Sequence, residues 1–364
     1  MPGQLKIDIL VENNPYSSVA SFSRAFAKAL RKKGVKTRLF HIGNGKFYKA
    51  LYPIINNRPD LTFSFSDIRC DGKPIGEMWR IPHFSYLLDP VMLFLHQLQG
   101  DFSIVSCIDR GDYAFTQKLG FTKSFFLPHG VDSQLVHTPS TNLSLFDLTM
   151  MGTCMDYDAL RLVWKAQFSK ATVKLLDEAQ EKVLSPQGIS CLQALLEGGV
   201  SENLPMLHNE LTCFVRAKER IDLLRSLEGI PLSIWGKGPW KKYFPKASVY
   251  SALPFNQALK IFHHSKIVLN SSPFFKEGAH ERIFYALALH ALPITGDNPY
   301  IREHFEDKKS LLTYSHGQYH GLKEKVQGFL NDEELRREIV ERGRKITFAS
   351  HTWDVRAGSL LNYF

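Results

Sequence analysis

The chain has no apolar run long enough to span a bilayer, no Cys-x-x-Cys pair, and no internal repeat or low-complexity tract. A spanning helix needs roughly 20 predominantly apolar residues in a row, so a helical membrane protein is excluded. Its five cysteines, Cys70, Cys107, Cys154, Cys191 and Cys213, are odd in number and widely spaced. That argues for buried thiols in a reducing compartment rather than a disulfide framework or a zinc site. The opening MPGQLKIDILVE runs into a strand without a basic segment followed by an apolar one, so no signal peptide is expected and a cytoplasmic location is. Missing too is a basic stripe interleaved with aromatics. The bases of Arg24 to Lys33, Lys241 to Lys246 and Arg336 to Lys345 alternate with acids or apolar positions, which speaks against nucleic acid. The net charge of +9 leaves a bias toward phosphate-bearing ligands or an anionic surface such as the inner membrane face.

What is present is an alternation of strands and helices. A length of 364 residues exceeds what one core usually holds, and 44% hydrophobic residues exclude a disordered chain. LKIDILVE, VKTRLFHI, LTFSFSD, FSIVSCIDR and SFFLPHGVD read as strands of a mostly parallel, doubly wound α/β domain, with a turn from Asn13 to Ser18. Residues 133–145 are rich in Ser, Thr and other polar residues and read as a connection, so a first domain is expected over 1–138 and a second over 139–346. In the second, FDLTMMG, LSIWGKG, ASVYSAL, KIVLNSS, LPITGD and SLLTYS are strands. Residues 155–230 form a helical stretch, with RLVWKAQFSKATVKLLDEAQEKVL as one long pattern. ITFASHTWDVRAGSLLNYF reads as one final amphipathic helix.

The most informative stretch is residues 266–305. KIVLNSS is a strand ending in small polar residues, Lys276 to Arg282 gather bases and acids around Gly278, IFYALALHAL is a buried helix, and LPITGD returns as a strand with Asp297 at its end. In open α/β sheets ligands lie outside the carboxyl ends of the strands, where this charged cluster falls. Glu281 can accept from ribose hydroxyls, while Arg282, Lys276 and helix N–H groups can hold phosphate. A solvated helix cap explains the Glu281–Arg282 pair equally simply. Gly236, Lys237 and Gly238 offer a tight turn with a cation between two glycines, or an ordinary strand-to-helix turn.

The pattern LNSSPFFKEGAHERIFYALALHALPITGDN over 269–298 resembles the donor-binding segment of GT-B glycosyltransferases. It is most similar to the bacterial branch known as CgeB-like, within glycosyl transferases group 1. LLDP at 87–90, FLPHGVD at 126–132, DLTMMGT at 147–153, IWGKGPW at 234–240 and HTWDVRA at 351–357 agree in order. The resemblance implies two Rossmann-like doubly wound domains facing a cleft, with residues 347–364 crossing back onto the first. It implies transfer of a sugar, of the hexosyl type, from a nucleotide-sugar on the second domain to a hydroxyl of a saccharide, lipid-linked glycan or protein. It further implies Ser272, Ala279, His280 and Asn298 on the donor side beside the residues above. One departure is Leu289-His290-Ala291, where the family has a small turn of the type A-C-G.

On the acceptor side the expected residues are Asn13, Asn14, Tyr16 and Asp109. An inverting transfer needs a base for the acceptor proton, for which Asp89, His129, Asp109 and His83 stand as candidates. Asp89 precedes Pro90 and reads equally as the N-cap of VMLFLHQL; His129 follows a strand and reads equally as structural. The nearest matches to a metal-holding D-x-D are DYD at 156–158, placed as a helix cap, and DIRCD at 67–71. Neither metal nor cofactor is expected, the donor charge being met by Lys276, Arg282, Lys237 and helix dipoles. A non-catalytic scaffold of the same fold, or a phosphorylase, shares the same architecture.

Overall fold

The computed structural model describes residues 4–12, 14–43, 47–141 and 143–364, in two compact units. Unit 1 holds the residues up to Val136, Pro254–Asn256 and Phe348–Phe364; unit 2 holds His137–Leu253 and Gln257–Thr347.

Unit 1 is built on six parallel strands, β1 (Lys6–Val11), β2 (Lys36–His41), β3 (Leu61–Phe65), β4 (His83–Tyr86), β5 (Ser103–Cys107) and β6 (Ser124–Phe126), in the order β2-β1-β3-β4-β5-β6. Strands β3 and β4 are buried along their whole length, as expected of a parallel sheet covered on both faces. Helix α1 (Ser18–Lys32) buries Val19, Phe22, Phe26, Ala29 and Leu30, a spacing that puts them on one side of the helix. Phe22, Phe26, Phe65 and Tyr86 meet the ring of Trp353, with centroids 5.2 to 6.0 Å apart. Asp109 caps helix α2 (Arg110–Lys118) by accepting from the Gly111 N–H at 2.8 Å.

Unit 2 has a second parallel sheet: β7 (Phe146–Met151), β8 (Leu232–Trp235), β9 (Ser248–Tyr250), β10 (Ser265–Leu269), β11 (Leu292–Gly296) and β12 (Leu312–Tyr314), in the order β9-β8-β7-β10-β11-β12. The direction of winding reverses between β7 and β10. The crossover from β7 to β8 contains four helices, α3 (Tyr157–Gln167), α4 (Lys170–Val183), α5 (Cys191–Glu197) and α6 (Leu204–Arg225). They enclose a core of their own around Trp164, Leu176, Leu195, Leu211 and Phe214. The long helix expected through RLVWKAQFSKATVKLL is broken at Phe168 and Ser169, because the Ser169 hydroxyl accepts from the Thr172 N–H at 3.1 Å and starts α4. Asp156 does cap α3, accepting from the Ala159 N–H at 3.2 Å. Helices α7 (Glu281–Ala288) and α8 (Pro299–His304) follow β10 and β11.

The single final helix expected from the sequence is two, α9 (Glu333–Ser350) and α10 (Trp353–Leu361). Between them Val131 donates to the His351 carbonyl at 2.9 Å and its carbonyl accepts from the Trp353 N–H at 2.9 Å, so the backbone there pairs with an extended segment and cannot continue the helix. Thr352 then caps α10. Among the described residues no helix is long and apolar enough to cross a membrane.

Two outcomes follow from this packing. Trp353→Ala removes a ring that is 1% exposed and should cost about 3–5 kcal/mol of stability in urea unfolding. Asp156 accepts from Lys242 and Tyr243, and these bonds hold its carboxyl at about 2, below the ordinary 3.8. A depressed carboxyl stabilises the fold above its unfolded pKa and loses that contribution as the pH falls through its folded one. Asp156→Asn should therefore flatten the loss of stability between about pH 4 and pH 2; an unchanged slope in chemical denaturation across that window would count against the assignment.

Candidate functional site

The carboxyl ends of β7 and β8 lie against each other through backbone alone. The Gly152 N–H donates to the Trp235 carbonyl at 2.9 Å and the Cys154 N–H to the Lys237 carbonyl at 2.8 Å. A Cβ at Gly236 would lie 1.8 Å from the Gly152 carbonyl oxygen, and one at Gly238, where φ is +93°, 2.0 Å from that of Cys154. The two glycines thus permit a close approach of strand ends, and Lys237 stands exposed between them.

Beyond β10 come Asn270, Ser271 and Ser272, all buried. The Asn270 carbonyl oxygen of the side chain accepts from Arg282 Nη1 at 2.7 Å, and its amide donates to Thr295 Oγ1 at 3.0 Å. Ser272 donates to the same Asn270 oxygen at 3.4 Å. The loop that follows is held by Asn298, whose amide donates to the carbonyls of Phe275 at 3.2 Å and Gly278 at 3.0 Å while its Oδ1 caps α8. Gly278 and Ala279 are buried in that loop. Lys276 donates to the Val183 carbonyl at 2.7 Å, at the carboxyl end of α4. His280 is the N-cap of α7: its Nδ1 accepts from the Arg282 N–H at 3.2 Å and lies 2.9 Å from Glu281 Oε2. Asp297, just past β11, pairs with Arg302 at 2.7 Å. At the turn after α7, His290 adopts φ +65°, the left-handed region glycine usually fills, and its Nε2 donates to the Thr138 carbonyl at 2.9 Å.

Helix α6 adds a layer that the sequence reading missed. It carries Arg216, Glu219 and Arg220, and the spacing of four puts both arginines on adjacent turns of one side. Glu219 is buried and accepts from Ser271 Oγ at 2.7 Å, from Tyr314 Oη at 3.4 Å and from His316 Nδ1. Burial pushes its carboxyl up, but His316, Ser271 and Lys276 together bring it below the ordinary range. Arg220 donates to the Thr153 carbonyl beyond β7. Burial, then the charges of Arg282 and Arg216, push its guanidinium down to about 9. Arg216 lies over the Phe274 ring at 4.7 Å. The Nε atoms of Arg216 and Arg220 are buried and have no hydrogen-bond partner among the described residues. Three guanidinium groups, of Arg216, Arg220 and Arg282, thus feel one another's charge at the point where the sheet reverses its winding. The readable signal was the R-x-x-x-R spacing in VRAKERIDLL; its meaning depends on strand ends far away in sequence.

The residues singled out in the first domain also follow strand ends. Asn13 lies outside the described residues. Asn14 donates to Ser18 Oγ at 2.7 Å in the β1–α1 turn, where the Tyr16 carbonyl accepts from the Phe255 N–H at 2.7 Å. Asp89 is exposed, and Pro90 rather than Asp89 occupies the N-cap of the 3₁₀ segment Val91–Gln99. His129 is buried against the Phe22 ring, and Arg356 donates to its carbonyl at 3.0 Å. His83 is buried between Thr62 Oγ1 and Ser64 Oγ, each at 2.9 Å, and burial lowers it to about 3. Asp109 neighbours half-buried Asp112, which burial and the Asp109 charge push up to about 8.

Comparison with known proteins places this architecture. Residues 216–362 match the family described as glycosyl transferase-like. No curated protein matches the chain in sequence. Among solved structures, a glycosyltransferase from Rickettsia africae ESF-5 is 11% identical, aligns over 99% of this chain and 97% of its own, and gives a TM-score of 0.57. HepE of Anabaena, in complex with UDP and glucose, is 10% identical over 99% of each chain with a TM-score of 0.58. Sucrose-phosphate synthase of Thermosynechococcus elongatus is 9% identical over 99% of this chain and 98% of its own, at 0.57. Two parallel sheets wound as described, aligned end to end with such enzymes, give the chain the GT-B glycosyltransferase fold, with the match to the glycosyl transferase-like family in its residues 216–362.

Proposed function

We propose that unit 2 binds a nucleotide-sugar with its diphosphate against Arg216, Arg220 and Arg282, and that the chain transfers the sugar to a hydroxyl of a saccharide, lipid-linked glycan or protein. The observation that carries this reading is the arginine cluster: buried Nε atoms of Arg216 and Arg220 without partners among the described residues, one group held down to about 9 by burial and then by its cationic neighbours, at the reversal of a doubly wound sheet. A buried cation cluster is costly until an anion joins it. A diphosphate supplies that anion, and as the leaving group it gains charge when the bond to the anomeric carbon breaks, so the same guanidinium groups act most strongly in the transition state.

Glu281 and Lys237 remain our choices for a donor hydroxyl and a second phosphate contact, with the Asn298-held loop shaping the site. Because side chains meet the phosphate charge, we place the reaction in the metal-independent class, with a hexosyl donor. HepE of Anabaena holds UDP and glucose, which makes UDP-glucose the first donor to test. The Glu281–Arg282 pair opening α7 and the HTWDVRA segment support the CgeB-like branch within the wider family. Attachment to an anionic membrane surface fits the net charge of +9.

Uridine, guanosine and thymidine diphosphates and their sugars should be screened by thermal shift; one of them should raise the melting temperature by mass action. Arg220→Met should weaken that ligand by about 1.5–3 kcal/mol in calorimetry, the range for a charge-assisted bond. Silence from every ligand at millimolar concentration would end the donor-site reading. Glu219→Ala orphans His316 and Ser271 and should cost about 3–5 kcal/mol in urea unfolding. Glu219→Gln should recover part of that loss, since an amide oxygen still accepts.

A further inference from the structure

The strands of the unit 1 sheet all run in one direction, so their starts lie on one side and their ends on the other. Those two sides carry opposite charge. Glu12 follows β1, Asp67 β3, Asp89 β4 and Asp109 β5, so acids gather at the carboxyl ends. Asp67 there accepts from Arg69 Nε at 2.8 Å and from His96 Nε2 at 2.7 Å. At the amino ends exposed bases take their place. Lys6 opens β1 and Lys36 opens β2, Arg58 and Arg80 stand just before β3 and β4, and Lys123 directly precedes β6. Arg58 donates to the Arg80 carbonyl, and the Arg80 guanidinium lies 5.9 Å from the ring centre of Phe102, just before β5. With neighbouring strands about 4.8 Å apart, the bases from β2 to β6 spread over about 24 Å.

Two structural reasons for bases at such places cover only part of them. A cation at a helix carboxyl end offsets the helix dipole, which accounts for Arg31 and Lys32 at the end of α1 and Lys118 at the end of α2. A lysine at a sheet edge blocks pairing with another sheet, which accounts for Lys36 on β2 and Lys123 beside β6. Neither reason reaches Lys6, Arg58 and Arg80, at the starts of inner strands. The acids on this side are engaged locally: Asp60 accepts from the Lys6 N–H at 2.8 Å, Glu77 from the Phe102 N–H at 2.7 Å, and Asp354 pairs with Lys32 at 2.9 Å. Asp101 stands beside Lys123, which donates to its carbonyl. Two aliphatic side chains are exposed among the bases, Ile55 (57%) near the end of the helix Phe47–Asn56 and Leu119 (54%) just past α2.

We propose that this amino-end face of unit 1 docks on the surface of an anionic phospholipid membrane, its bases meeting headgroup phosphates while Ile55 and Leu119 enter the boundary with the acyl chains. The assignment rests on the attachment to an anionic surface read from the net charge of +9, and names the face responsible. Exposed aliphatic groups gain from a lipid boundary and gain nothing from a sugar–phosphate backbone, which favours a membrane over a nucleic acid. The opposed charges also orient the unit. Acids at the carboxyl ends are repelled by the surface that attracts the bases, so the crevice at those ends turns toward water. Each base close to such a surface strengthens partitioning by about fivefold.

The test sediments the whole chain with vesicles of phosphatidylcholine alone and with vesicles of equal parts phosphatidylcholine and phosphatidylglycerol, at rising salt. Binding is expected to the mixed vesicles only, and to weaken as salt rises. Lys36→Gln combined with Arg80→Gln should weaken partitioning about 25-fold. Ile55→Ser combined with Leu119→Ser should weaken it several-fold. Melting curves should stay unchanged, because all four side chains are exposed. Lys246→Gln combined with Lys345→Gln, at exposed bases of unit 2, should change partitioning little. No loss in the unit 1 base variant, or an equal loss in the unit 2 variant, leaves attachment by net charge alone and overturns the docking face. A wild-type chain that ignores the mixed vesicles at low salt overturns the face and the attachment reading together. Tighter binding to RNA of random sequence, with the same dependence on Lys36 and Arg80, makes the partner a nucleic acid and overturns the proposal. No nucleotide-sugar enters the assay, so the donor reading of unit 2 stands or falls separately.

Discussion

The carboxylate of Glu219 is the interaction on which the geometry of unit 2 depends. It is buried, reaches from α6 to Ser271 beyond β10 and to Tyr314 and His316 at the end of β12, and so fixes a helix of the crossover against two strand ends. A buried carboxylate is tolerated only when its oxygens are satisfied, and here three donors from two strand ends satisfy it. With Glu219 fixed, Arg216 and Arg220 have little freedom left. Arg220 meets the end of β7 and Arg216 lies on Phe274, so two cations are presented at the rim by a helix that Glu219 ties to the ends of β10 and β12.

The same constraint operates in unit 1 with different residues. A parallel sheet covered on both faces leaves its polar side chains either to pair with one another, as Thr62, Ser64 and His83 do, or to collect beyond the strand ends. Asp67, Asp109 and Glu12 take the second course. The chemistry of the chain is therefore concentrated at strand ends because the interior offers it no other place.

Much of this was legible in the sequence, and what was not has a common cause. Every strand of both sheets except β4 lies within a run read as a strand, because buried parallel strands show as short runs of β-branched and aromatic residues. The loop from Ser272 to Arg282 was visible because its parts are contiguous. Arg216, Glu219 and Arg220 were not, since on a helix they resemble any solvated charged face until their distant partners are known. The same holds for His96 and Asp67, which are far apart in the chain and meet only at a strand end. Ser169 and Thr352 were overlooked for a smaller reason: a capping hydroxyl inside an apolar periodic pattern looks like a polar position on the helix surface until its backbone partner is seen.

The ring of Trp353 belongs to the innermost aromatic cluster of unit 1, although it comes from the last stretch of the chain. A ribosome therefore delivers the first strands of unit 1 long before the residue that closes their core, while residues 137–347 of unit 2 are complete by then. Domains generally finish in the order in which they emerge. Here the order is inverted: the half that begins first is sealed last, and its nascent form must keep an apolar face uncovered until synthesis reaches α10.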